Sequence, residues 1–177
     1  KYRANESLKI SVSSHYLTRP DDAEAEAINR MLYIAEVVDT PIIDVHLTCE
    51  KGLNEIREAR KRGQVVFAEA CPQYLTMTDD LYNSDFETSA RYVIAPPLRK
   101  KSDQEAFWKA LADGEIQTIS TDHCSFTLVQ KDLGKEDFRK ILGGMHGVET
   151  RGEVIFSEGV VKGRIFTERM QALLSEN

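Results

Sequence analysis

Two side chains sit where a parallel α/β protein places its chemistry. His46 closes the run PIIDVHL and Asp122 follows IQTIST, and in such folds reactive groups gather at the C-terminal ends of strands, where the connecting loops converge. Imidazole and carboxylate together suit a divalent metal such as zinc or manganese, which lowers the pKa of bound water to about 7. Singly, each has a plainer reading: a packed histidine at a strand end, and an aspartate capping a turn or helix. Their shared placement makes metal ligation the sharper expectation, with Asp122 also able to handle a proton.

The other reactive residue types make weaker candidates. His123 follows Asp122 directly, so strand alternation turns it away and favours a supporting role. His15 and His146 lack ligand-spaced partners and read as surface or packing residues. Cys71 and Cys124 could act as nucleophiles, but no basic cluster is positioned to lower their pKa. The acids Asp21, Asp22, Glu24 and Glu26 read as a solvated helix start, and Phe107, Trp108 and Leu111 as core.

Short apolar runs alternate with helical patterns, which implies βα units around a parallel sheet. The first stretch, to about residue 17, is ambiguous. Residues 20–39 form an amphipathic helix opened by Pro20 and acids, with Ala27, Ile28, Met31, Leu32, Ala35 and Val38 on one face. Strands are expected at 41–47, 64–70, 92–94 and 116–121. A helix at 53–62 closes on Gly63, and another starts at Ser102, where Ser102 and Glu105 form a capping box before Gly114 ends it. Residues 129–147 read as a long Gly-rich connection that shapes a binding site, followed by helices at 148–161 and 167–175.

The chain has 177 residues, 41% hydrophobic and 29% charged, which suits one ordinary globular domain. Its formal charge of −6 disfavours nucleic acid or an anionic membrane as partner, because both need concentrated basic surface. The one basic run, Arg99-Lys100-Lys101, is too short to change that. Three widely spaced cysteines, no CxxC and no apolar leader point to reduced thiols in a cytoplasmic protein. The first residue is not Met and the last residues are helical, as expected for a piece of a longer chain.

Six blocks in order, among them SHYLTRPDDAEAEAINR, VHLTC, EACPQYLTMTDDLY, APPLRKKSDQEAFWKAL, STDHCSF and DFRKILGGMHGVETR, with VIFSEGVVKGRI after them, resemble the dihydropyrimidinase/hydantoinase branch of the amidohydrolase superfamily. That resemblance implies a TIM-type (β/α)8 barrel, of which residues 1–177 would be a single partial domain, the C-terminal half. It implies two metals, zinc or manganese, bridged by a hydroxide and a carboxylated lysine, and hydrolysis of a dihydropyrimidine or a 5-substituted hydantoin. The resemblance also implies a homo-oligomer, a tetramer as in the parent family.

On this resemblance His46 matches the later of two metal-binding histidines, and Asp122 matches the late aspartate that is both ligand and proton shuttle. The remaining ligands fall outside the sequence, so the chain by itself should bind metal weakly and turn over nothing. Ala95 and Gly143 stand where the family often has Ser and Asn, at positions that hold the ring amide through main-chain groups. Loss of those side chains need not abolish binding, and Gly143 should make its loop more mobile. The alternative is a non-catalytic scaffold of the same fold, disfavoured by the retained His46 and Asp122. A half barrel should also expose strand edges and associate.

Overall fold

A computed structural model describes residues 11–176, so residues 1–10 and 177, including most of the stretch left ambiguous above, lie outside the described residues. A turn of helix, α1 (Ser14–Leu17), precedes α2 (Asp21–Val37). Pro20 sets the entry to α2 and Asp21, Asp22 and Glu24 occupy its first turn, where the free N–H groups favour negative charge. Ala25, Ile28, Leu32 and Ala35 repeat at spacings of three and four and are buried.

The next units alternate strand and helix: β1 (Ile42–Asp44), α3 (Glu50–Lys61), β2 (Val66–Ala70), α4 (Pro72–Thr76), α5 (Phe86–Ser89), α6 (Lys101–Ala112) and β3 (Thr118–Ile119). The strands form one parallel sheet in the order β1-β2-β3, with Asp44 opposite Ala68 and Ala70 opposite Ile119. This is an α/β arrangement, with each crossover carried by helix. Strands 41–47, 64–70 and 116–121 are thus found in shortened form.

One sheet face is packed and the other is open. Val66, Ala68, Ala70 and Ile119 pack with Leu53, Ile56, Phe107 and Leu111 from α3 and α6. Gly52 lets α3 approach closely, since a Cβ there would lie 2.7 Å from Ile28 Cδ1 and 2.9 Å from Leu47 Cδ1. Gly63, at φ 92°, closes α3 in a conformation other residues resist. On the opposite face Ile43 and Phe67 stand side by side in the ladder and are 62% and 43% exposed, far from core values.

Four expectations need correction. Residues 92–94 form no strand, because side chains and a glycine amide claim their carbonyls, as described below. The N-cap of α6 is Lys100, not Ser102: Asp103 Oδ2 accepts from the Lys100 N–H at 3.1 Å, and its other oxygen accepts from Glu50 N at 2.9 Å. Met31 and Val38, expected on the core face of α2, are exposed. Met31 lines an open cavity described below, and Val38 is the residue after the last turn of α2. Glu24, expected to be solvated, is drawn into a buried ion pair.

The 129–147 connection is more ordered than its glycines suggest. A short helix, α7 (Leu128–Lys131), opens with a capping box between Thr127 and Gln130, and 3-10 turns follow at Asp132–Gly134 and Phe138–Lys140. Helix α8 (Arg151–Ile155) continues as wider turns over Phe156–Val161, and α9 (Thr167–Gln171) follows. Among the described residues no helix is long and apolar enough to cross a membrane.

Candidate functional site

His46 and Asp122 lie just beyond the C-terminal ends of β1 and β3, and both have left-handed backbones, at φ 45° and 48°. Outside glycine this conformation is uncommon, with Asp and His among the residues that tolerate it best. It persists only where the surroundings over-determine it, and such residues cluster at functional sites.

The surroundings of His46 are specific. Leu47 N–H donates to Glu69 O at 2.9 Å and Thr48 N–H to Glu24 Oε1 at 2.8 Å, fixing the chain immediately after the histidine. The Thr48 hydroxyl also donates to the Glu24 carboxylate. Arg99 completes the cluster: it donates to Thr48 Oγ1 at 2.9 Å, to Arg19 O at 2.6 Å and to Glu24 Oε2 at 2.7 Å. The Glu24 and Arg99 side chains are only 11% and 9% exposed, so each charge depends on the other.

At the end of β3, Gln73 Nε2 donates to Thr121 O at 3.1 Å, and Ser120 Oγ donates to Glu69 Oε1 at 2.7 Å. His123 Nδ1 accepts from the N–H groups of Gly147 at 3.1 Å and Val148 at 3.4 Å, which places the proton of the neutral ring on Nε2. A parallel bridge from His123 to Met145 ties this segment to the Gly-rich connection.

Residues 93–98 are a loop with a cis Ala95-Pro96 bond, held through the carbonyls of Tyr92, Val93, Ile94 and Pro96. Tyr82 Oη donates to Tyr92 O at 3.2 Å and accepts from Leu98 N–H at 3.0 Å. Val93 O accepts from Gly144 N–H at 2.9 Å and from Lys131 Nζ at 3.0 Å. His15 Nε2 donates to Ile94 O at 2.7 Å, and Tyr74 Oη to Pro96 O at 2.9 Å. Burial, reinforced by the Arg19, Lys131 and Arg99 charges, lowers the His15 pKa to about 4 against the opposing bond to Ile94, so the ring is neutral. Ala95 alone between Val93 and Pro96 has neither N–H nor carbonyl engaged among the described residues.

Gly143 sits against this gap. A Cβ on it would lie 3.7 Å from Ala95 N and 3.9 Å from Ala95 Cβ, ordinary contact that an Asn could also make. Its φ is not among the positive values, and its neighbours are tethered: Lys131 Nζ binds Leu142 O at 3.2 Å and Gly144 O at 3.0 Å. The expected mobility of this loop is therefore not supported. Gly143 itself, like Ala95, engages no main-chain partner among the described residues.

A cavity of about 560 Å³ opens between α2, the end of β1 and residues 95–97, and both His46 and Ala95 line it. Asp44 lies there too, its Oδ2 buried and unpaired, and burial with the Glu24 and Glu69 charges raises its pKa to about 7. Asp122 is not among the cavity-lining residues. Among the described residues no three His, Cys, Asp or Glu side chains converge as a metal cage. His46 and Asp122 still fit a divalent metal by donor type, since neither side chain is committed to a hydrogen bond among the described residues, but they are two donors and not a closed site. Two of the thiols are withdrawn, since Cys49 and Cys71 are buried and burial holds Cys71 up at about 12, whereas Cys124 is exposed.

Sequence reasoning missed the structural roles of Lys131, Arg99 and Glu24: Glu24 read as a solvated helix start, Arg99 only as part of a short basic run, and Lys131 was not singled out. The Thr127–Gln130 capping box was a legible signal that Lys131 ends a short helix.

No family model matches the chain. It is 49% identical over 153 residues to the D-hydantoinase of Rhizobium radiobacter, covering 85% of this chain and 33% of that protein. It is 40% identical over 163 residues to a D-phenylhydantoinase of Escherichia coli, covering 91% of this chain and 35% of the relative. The solved dihydropyrimidinase from Brevibacillus agri NCHU1002 superposes with a TM-score of 0.90 at 38% identity, over 92% of this chain and 36% of that one. The chain thus spans about a third of the length of the relatives it matches.

Proposed function

The chain belongs to the dihydropyrimidinase/hydantoinase branch of the amidohydrolase superfamily, and on that premise we propose that the whole protein hydrolyses a cyclic amide, a dihydropyrimidine or a 5-substituted hydantoin. The observation that carries this reading is the pair of uncommitted backbones at Ala95 and Gly143, close enough that a Cβ added to Gly143 would lie 3.7 Å from Ala95 N, and flanked by tethered neighbours. A ring amide presents an N–H and a C=O side by side on one edge, and free main-chain donors and acceptors are its natural complement. In this reading the residues belong to one partial domain, part of a (β/α)8 barrel completed by sequence outside this chain.

Each residue has a defined task. Ala95 and Gly143 hold the ring by their backbones, so the missing Ser and Asn side chains alter preference more than binding. His46 and Asp122 contribute an imidazole and a carboxylate to a metal site, with two zinc or manganese ions in the whole protein. The metal supplies charge stabilisation and a water acidic enough to attack near neutral pH. Asp122 takes the proton of the attacking water and delivers it to the ring nitrogen as the C–N bond breaks. The Glu24–Arg99–Thr48 cluster keeps the segment after His46 in place. The exposed apolar sheet face and flank of α2 support burial against further sequence or other subunits of a homo-oligomer, and the three unpaired cysteines support a cytoplasmic setting.

The test is metal content with ring opening of dihydrouracil and of a substituted hydantoin, measured on the whole protein beside this 177-residue chain. Metal-dependent turnover by the whole protein alone supports the reading. Absence of turnover on both rings by the metal-loaded whole protein rejects it.

A further inference from the structure

We propose that Lys131 is a positioning residue for ring-amide recognition: its ammonium draws Leu142 O, Gly144 O and Val93 O together and thereby aims the Gly143 N–H at the ligand. The inference rests on the reading of Ala95 and Gly143 given above. Lys131 is 4% exposed, yet among the described residues it has no carboxylate partner. Its three N–H donors match three carbonyls, at 3.0, 3.2 and 3.0 Å. Burying an ammonium is costly, and that cost lowers its pKa to about 8. Simple packing at the end of α7 would be served by an apolar side chain.

Peptide geometry gives the ammonium its consequence. In a trans peptide the C=O and the following N–H point in opposite directions. With Leu142 O turned to Lys131, the Gly143 N–H faces away from it. His15 does the same one loop over, since its bond to Ile94 O turns the Ala95 N–H away from the imidazole. Two buried basic side chains thus set the direction of two N–H groups on neighbouring loops, where a Cβ added to Gly143 would reach Ala95 at 3.7 Å. Neither is among the candidate metal ligands, and each acts on the ligand only through a peptide that it orients.

In the whole protein, Lys131→Met should raise KM for the ring substrate about tenfold, the equivalent of ~1.4 kcal/mol, with kcat changed far less. Lys131→Arg, which keeps the charge and the donors, should restore most of that loss. On the 177-residue chain, amide exchange at Gly143 should quicken in Lys131→Met while the urea midpoint still reports a folded protein. An unchanged KM, or a fall in kcat with KM untouched, overturns the proposal. If Lys131→Met does not fold, Lys131→Gln carries the same test, and an unaltered KM there also overturns it. If the whole protein opens neither ring, the functional reading fails, and unaltered Gly143 exchange in the shorter chain then rejects the clamp as well.

Discussion

The end of β1 and the paired loops at 93–97 and 142–145 are held by opposite means. Behind His46, a full charge pair, Glu24 with Arg99, sits in the protein interior and fixes one backbone segment through Thr48. Beside Ala95 and Gly143, a neutral imidazole and an ammonium without a carboxylate hold the loop carbonyls, the imidazole accepting from Arg19 at its other nitrogen. The first region offers donors that need partners from elsewhere to close a metal site. The second is complete among the described residues: its neighbours are tethered and its open groups already lie together. In the proposed reading, ligation would be shared with sequence outside this chain, whereas ring recognition would be built within it.

Four tests probe that contrast. The largest effect is expected at Asp122: Asp122→Asn in the whole protein should lower kcat on the order of 10⁴-fold, ~5.5 kcal/mol of barrier, while leaving the urea midpoint near its original value. Retained turnover would remove Asp122 from the chemistry. Next, Glu24→Ala leaves Arg99 buried without its counter-ion and should cost about 4 kcal/mol in denaturant unfolding, with part recovered in the Glu24→Ala/Arg99→Leu double variant. Simple additivity of the two changes would show that the pair does not act as a unit.

A smaller effect distinguishes the second region. His15 is held neutral in the fold, with a pKa of about 4 against 6.5 when free. The folded state therefore binds fewer protons between those values, and the stability present above pH 6.5 is lost as pH falls towards 4. The loss should reach about 3 kcal/mol. Urea midpoints across that window should fall in the parent chain and flatten in His15→Gln; equal slopes would show that the fold does not hold His15 neutral. The smallest effects belong to Ala95→Ser and Gly143→Asn. Both leave the main chain in place, so each should move stability by less than ~1 kcal/mol and KM by only a few-fold. A hundredfold change in KM would shift recognition from backbone to side chain.

The same contrast explains what was legible in the sequence. Helix α2, helix α3 and the strands declared themselves because their apolar spacing is local and repeats. Residues 92–94 looked like a strand for the same reason, Tyr-Val-Ile being β-prone, but their hydrogen bonds go to His15, Tyr82 and Lys131, which no local pattern reveals. Glu24 and Arg99 lie 75 residues apart in the chain, so each looked like ordinary surface charge until the fold brought them together. The placement of His46 and Asp122 at strand ends was readable from the alternation of strands and helices. Their left-handed backbones, and the free peptides at Ala95 and Gly143, were not.

Those left-handed backbones also constrain how the protein can drift. A residue with a bulkier or branched side chain pays about 1 to 2 kcal/mol to occupy such a conformation, whereas Asn and Gly occupy it at little cost. Of the single changes that would erase an imidazole at 46 or a carboxylate at 122, Asn and Gly are therefore the ones the backbone tolerates best. A descendant that abandoned the chemistry and kept the fold would be expected to carry one of these two residues at either position, a mark that can be sought in sequence alone.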